Sequence, residues 1–134
     1  MAYSTVHYQD QDLTYAIIAS AIEVHKVLGP GLLESAYKYC LSIEFDDRRL
    51  QYQQEVAIPC SYKNRPIDCG FRLDFLIEGR VILEIESIAT ILPVHEAQIL
   101  TYLRLMDKHV GLLINFNTPV LKGGIRRFAL GAKR

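Results

Sequence analysis

The chain reads as an α/β fold in which a mixed β-sheet is flanked by helices, in the order ααβββαβ(β). Three observations predict it. Apolar residues recur at helical spacing up to about residue 46. The period then changes to two and stays so through residue 88, and a further helical stretch is followed by the nearly continuous apolar run VGLLINF.

The first helix is expected to start at Asp10 or Asp12, either of which can cap it, and to turn Ile17, Ile18, Ala21, Ile22 and His25 inward. It stops at LGPG, where Gly29, Pro30 and Gly31 force a sharp break. A second helix follows at once, roughly Leu32 to Asp46, with Leu33, Ala36, Tyr37, Cys40 and Ile43 as its core stripe. Gln54 to Tyr62 then reads as a strand, KNRP as a turn and Ile67 to Ile77 as a long strand. Glu78-Gly79-Arg80 is a tight loop, and Val81 to Ile88 completes a three-stranded meander. Pro93 marks the start of a helix through HEAQILTYLRLMDK, with Ile99, Leu100, Leu103 and Met106 facing inward. VGLLINF has the pattern of a strand covered on both faces, and IRRFAL can add a weak last strand.

The 134 residues, half of them hydrophobic, suit one domain spanning 1–134 that buries a core without disulfides. Fifteen basic residues balance fifteen acidic ones, so no net field draws the molecule onto nucleic acid or an anionic membrane. A local basic run exists in the tail, at Lys122, Arg126, Arg127, Lys133 and Arg134, for which a solvated terminus is the plainer explanation. Cys40, Cys60 and Cys69 are odd in number and lack C-x-x-C spacing, which argues for free buried thiols in a reducing compartment. No apolar run approaches a membrane span and the N-terminus lacks signal-peptide character, so a cytoplasmic protein without membrane contact is expected.

Chemistry concentrates in the meander. Along the second strand Phe71, Leu73, Phe75 and Ile77 point one way, and Arg72, Asp74 and Leu76 the other. Along the third, Ile82, Glu84, Glu86 and Ile88 share a face. A two-residue hairpin loop would throw Asp74 and the glutamates to opposite sides, whereas an odd loop with Gly79 in the left-handed position puts them together. Three such carboxylates would repel at roughly 4 kcal/mol per pair at about 4 Å and an effective dielectric near 20. Retained protons, a basic neighbour such as Arg72, or a divalent cation would offset this, and oxygen-only ligation favours Mg²⁺ or Mn²⁺ over zinc. The plain alternative is that Glu86 faces solvent at a strand end.

Gly31-x-x-Glu34-x-x-Tyr37, the spacing from Asp74 to Glu84, and PVHEAQILTYL together resemble the GxxExxY proteins of the PD-(D/E)XK nuclease superfamily, from about Leu13 to Phe116. The resemblance implies a restriction-endonuclease-like core and a nuclease acting on DNA or RNA with Mg²⁺ or Mn²⁺. It makes Asp74 and Glu84 metal-binding acids, Glu34 an additional acid on the preceding helix, and Gln98 and Tyr102 the Q-x-x-x-Y pair of RecB-like members. Gln98 and Tyr102 lie four apart, on one helix face with His95. The departure is at Glu86, where the family pattern E-x-K becomes E-x-E. A glutamate cannot supply the charge with which a lysine stabilises a phosphate under attack. Four carboxylates, Glu34, Asp74, Glu84 and Glu86, would however match two divalent cations, with Glu86 a ligand or base. Lys38, four residues after Glu34, is expected to pair with it on the helix surface. An impaired nuclease-fold module that binds nucleic acid or protein is the alternative, and the apolar excess leaves room for a homodimer.

Overall fold

The computed structural model describes residues 2–131, with side chains placed from residue 10 onward. In chain order its elements are α1 (Ala2–Leu28), α2 (Glu34–Asp47), β1 (Tyr52–Ala57), β2 (Cys60–Tyr62), β3 (Arg65–Ile67), β4 (Arg72–Ile77), β5 (Val81–Glu86), α3 (Pro93–Met106), β6 (Val110–Asn115) and β7 (Ile125–Ala129). Five strands form one sheet in the order β1-β4-β5-β6-β7, and β2 pairs with β3 in a separate hairpin. Only the β5–β6 pair is parallel, and α3 makes the crossover that a parallel pair needs.

Helices cover both faces of the sheet, as an α/β fold of this order requires. On one face Ile17 and Ala21 of α1 and Tyr37, Leu41 and Phe45 of α2 bury Phe75, Leu83, Ile85 and Ile114. On the other, Ile99, Tyr102 and Leu103 of α3 pack on Leu76, Ile82 and Leu113. All six residues of β6 are buried, which agrees with its continuous apolar sequence.

Several expected details shift. No Pro or Gly interrupts residues 2–12, so α1 runs through Asp10 and Asp12 instead of starting there. Asp10 is buried inside the helix, 3.8 Å from Arg80 Nη1. Its inward stripe is Leu13, Ile17, Ala21 and Val24, spaced by three and four, which leaves Ile22 exposed. Leu33 is extended (ψ 153°) and exposed, so α2 begins at Glu34 and presents Tyr37, Leu41 and Phe45, with Ile43 outside.

The two long strands also divide. Pro59 cannot donate to a ladder, so the chain leaves the sheet after Ala57 and rejoins it at Arg72. Lys63 and Asn64, both with φ near +50° to +63°, form the two-residue turn of the β2–β3 hairpin that fills the excursion.

Around LGPG, Gly31 adopts φ +95°, and Tyr37 holds the turn shut. Its hydroxyl donates to the Gly29 carbonyl at 2.6 Å and accepts the Leu32 N–H at 3.1 Å, while its ring stacks on Phe116 at 4.4 Å. His25 is likewise satisfied, through Nε2 and the Thr118 carbonyl at 2.9 Å. Gly124 packs so closely on β6 that an added Cβ would overlap the Asn115 carbonyl oxygen. Gly124→Ala is therefore expected to destabilise the fold by about 2 kcal/mol in urea unfolding. An unchanged midpoint would contradict this close approach.

Candidate active site

The β4–β5 hairpin has the odd loop. Ile77 pairs with Val81 and Phe75 with Leu83, leaving Glu78, Gly79 and Arg80 as a three-residue turn with Gly79 at φ +65°. The same register puts Asp74 opposite Glu84. There the backbone ladder gives way to side chains. The Asp74 N–H donates to Glu84 Oε2 at 2.8 Å, and the Ile85 N–H donates to Asp74 Oδ2 at 2.7 Å. The β1–β4 ladder is interrupted on the same row, because Glu55, between the paired Gln54 and Val56, has φ +52°. Leu73 consequently packs with Leu76 on the α3 face, against the strict alternation expected from the sequence.

Lys38 enters this interruption from α2. Its Nζ lies 3.1 Å from Asp74 Oδ1 and 3.4 Å from Glu55 Oε1. The expected pairing of Lys38 with Glu34 is thus replaced, because β4 offers a carboxylate that is less solvated. Arg72 does not take the role of the local cation: it is 3.5 Å from Asp68 Oδ1 and donates to the Phe71 carbonyl. Sequence reasoning gave Lys38 a different partner and missed Glu55 altogether. A signal for Lys38 existed, since a residue four after Glu34 shares its helix face and must approach whatever Glu34 approaches.

Burial and mutual repulsion govern the charges. Glu84, 8 % exposed, is pushed up to about 8 by burial and by Asp74, against the Asp74 N–H. Glu86 is not a solvated strand end: it is half-buried beside Glu34, and burial together with the Glu34 carboxylate raises it to about 7. Asp74 is raised by burial, opposed by the Ile85 N–H and Lys38. Burial pulls Lys38 down, but Asp74 and Glu55 outweigh it and hold its ammonium charged. Glu34, Asp74, Glu84 and Glu86 are thus brought together at the adjoining ends of α2, β4 and β5.

Tyr102 completes the α3 side. Burial, with Glu84 and Asp74 nearby, lifts its phenol to about 12, against Gln98 one turn earlier. Tyr102 is thus close to the carboxylates, and Gln98 lies half-buried four residues earlier on the same helix. His95 does not join them, because its Nδ1 accepts the Leu92 N–H at 2.9 Å and caps the helix. Buried Asn115 accepts the Ile88 N–H and donates to the Ile88 carbonyl, tying the segment after β5 to β6.

The donor set consists of carboxylate oxygens, which fits a hard divalent cation. Asp74 and Glu84 each commit one oxygen to a backbone N–H, so both are oriented before any ligand arrives. Among the described residues, no group of three or more His, Cys, Asp or Glu side chains is arranged to hold a metal ion. Lys38 holds the second Asp74 oxygen, and a cation would have to share it.

Raised carboxylates carry a stability consequence. Folded protein retains protons on Glu84 and Glu86 that the unfolded chain releases near 4.5, so their contribution is full below that pH and is lost as pH rises through 7 to 8. In chelator, urea unfolding is expected to show a loss on the order of 2 kcal/mol between pH 5 and about 8.5. Glu84→Gln should flatten most of the slope; an equal slope in that variant would contradict the assignment.

Among the described residues of the tail, both arginines have partners while Lys122 is exposed. Arg126 lies 3.8 Å from Glu96, Arg127 donates to Thr14, and Lys133 and Arg134 lie outside the described residues. Among the described residues no helix is long and apolar enough to cross a membrane.

No curated protein and no solved structure matches the sequence. A family model of the PD-(D/E)XK nuclease superfamily does, over residues 11–128, a span that contains all of the carboxylates, Lys38, Gln98 and Tyr102. The five-stranded, mostly antiparallel sheet with flanking helices is consistent with that fold, and the nucleases of the superfamily generally use divalent metal ions. By this match the chain belongs to the PD-(D/E)XK nuclease superfamily.

Proposed function

We propose that the protein hydrolyses phosphodiester bonds of DNA or RNA with Mg²⁺ or Mn²⁺ held by Asp74 and Glu84, assisted by Glu86 and Glu34. The observation that carries this is the Asp74–Glu84 pair, two carboxylates oriented by each other's strands with the Lys38 ammonium against one of them. When bound, the cation would supply Lewis-acid stabilisation of the phosphate and a more acidic water. Lys38, reaching in from α2, is the positive group that Glu86 fails to provide, and it is placed to stabilise charge developing on phosphate oxygens. Glu86, titrating near neutrality, is suited to accept the proton of an attacking water. Gln98 and Tyr102 shape the opposite wall. The exposed Tyr62 beside Lys63 at the tip of the β2–β3 hairpin offers a base-stacking and phosphate contact. The GxxExxY assignment includes Gly31, Glu34 and Tyr37, of which Gly31 and Tyr37 shape the turn before α2.

A second reading, an impaired nucleic-acid-binding or protein-interaction module in the same fold, is favoured by the E-x-E strand and by the engagement of Asp74 with Lys38. Exposed Val27, Leu33 and Tyr39 would suit a homodimer, which sedimentation measures. Incubation of wild type and Glu86→Lys with plasmid DNA and structured RNA in Mn²⁺ separates the two readings. Cleavage by wild type supports the enzyme. Cleavage by Glu86→Lys alone supports an impaired scaffold, and silence from both with no metal binding would sink the site.

A further inference from the structure

Cys60 and Cys69 pack at the margin of the α3-side core, and the proposed hydrolysis gives neither thiol a role. Cys60 opens β2, and Cys69 lies two residues beyond Ile67, its cross-strand partner. The hairpin therefore folds the two thiols onto each other, with Sγ atoms 2.8 Å apart, both half-buried and both free. We propose that Cys60 and Cys69 are a reversible dithiol–disulfide modification site, oxidised by a small-molecule disulfide of the glutathione type.

Geometry removes the usual obstacle. Two cysteines whose Cα atoms lie more than about 7 Å apart must distort the backbone to bond, whereas these two sulfurs already meet across one hairpin base. The Cys60 thiol donates to Cys69 Sγ, a contact that favours negative charge on Cys69 and disfavours it on Cys60, while the Cys69 thiol faces the Ile58 carbonyl at 3.8 Å. Cys69 is thus the attacking thiolate. Its sulfur bonds to one sulfur of the small disulfide and expels the other as a thiolate. Cys60, losing its proton, then attacks Cys69 Sγ and expels the second thiolate. Two protein thiols lose two electrons and two protons, and the small disulfide gains them as two thiols.

The product would close residues 60 to 69 into a ring and fasten the hairpin to the start of β4. That start is adjacent to the α3 wall, where the Phe71 ring is 6.1 Å from that of Tyr102. Cys40, on α2 beside Val27 and Ile43, is a third thiol in a different place and serves as an internal control.

The test uses the full chain, equilibrated in buffers of increasing oxidised to reduced glutathione, alkylated, digested with trypsin without reduction and mapped by mass spectrometry. Trypsin cuts after Lys63, between the two cysteines, so a disulfide joins the peptides Leu50–Lys63 and Asn64–Arg72. The expected result is loss of alkylation at Cys60 and Cys69 together, appearance of the linked pair, and Cys40 still alkylated. Hydrogen exchange of the hairpin amides should slow at least about tenfold on oxidation. Cys60→Ser should instead leave Cys69 as a mixed disulfide with glutathione, and Cys40→Ser should behave as wild type. Separate glutathione adducts on both thiols of the wild type, links involving Cys40, or thiols that stay reduced throughout would overturn the proposal. None of these readouts depends on nuclease activity.

Discussion

Asp74→Asn is expected to weaken Mn²⁺ binding by at least about tenfold in calorimetry and to lower phosphodiester cleavage by about 10³-fold. The substitution is chosen for what it preserves. An asparagine oxygen still accepts the Ile85 N–H that Asp74 Oδ2 accepts, so the strand geometry at the interrupted ladder survives while the charge is lost. A thermal midpoint close to wild type, measured alongside, separates loss of a ligand from loss of the fold. Retained metal affinity in a folded Asp74→Asn protein would remove Asp74 from the site.

The opposite pattern is expected of Lys38→Met. Methionine matches the length of the lysine stem but leaves Asp74 Oδ1 and Glu55 Oε1 without their ammonium. A cation no longer competes with Lys38 for Asp74, so Mn²⁺ binding should tighten severalfold. Cleavage should nevertheless fall by about 10²-fold, because positive charge aimed at the phosphate is gone. Binding and rate moving in opposite directions is a signature that general destabilisation does not produce. If both parameters stay unchanged, Lys38 is a packing residue and the missing strand lysine has no replacement.

Much of this arrangement was legible in the residues. The change of period after Asp46, the apolar run of β6 and Pro93 at a helix start are local signals, and local signals place elements well. Gly79 favoured the odd loop, and the odd loop alone put Asp74 beside Glu84. Other features depended on contacts that spacing does not encode. Pro59 and Gly70 divide what reads as two long strands, and a sheet excursion of this kind is visible only when the partner strand is known. The inward faces of α1 and α2 were displaced by a residue or two because both helices have apolar residues on more than one side. Asp10 resembled a cap until Arg80 supplied a partner for it inside a longer helix. Lys38 was assigned to Glu34 by the strongest local rule available, and a tertiary partner with less water around it won.

The cysteines teach the same lesson from the other side. Their odd count and irregular spacing argued against any pairing, and a hairpin that sequence read as parts of two longer strands brings two of them into contact. Under the proposed function, the carboxylate at position 86 leaves Lys38, from a different element and in contact with Asp74 and Glu55, as the cation of the site.

The central claim, that Asp74 and Glu84 hold a divalent cation for phosphodiester hydrolysis, is tested most directly by following the nicking of supercoiled plasmid by wild type and Glu84→Gln in Mn²⁺ and in chelator. Accumulation of nicked circles by wild type in Mn²⁺, abolished by chelator and by Glu84→Gln, is the predicted result; equal nicking by both proteins, or nicking that persists in chelator, would contradict it.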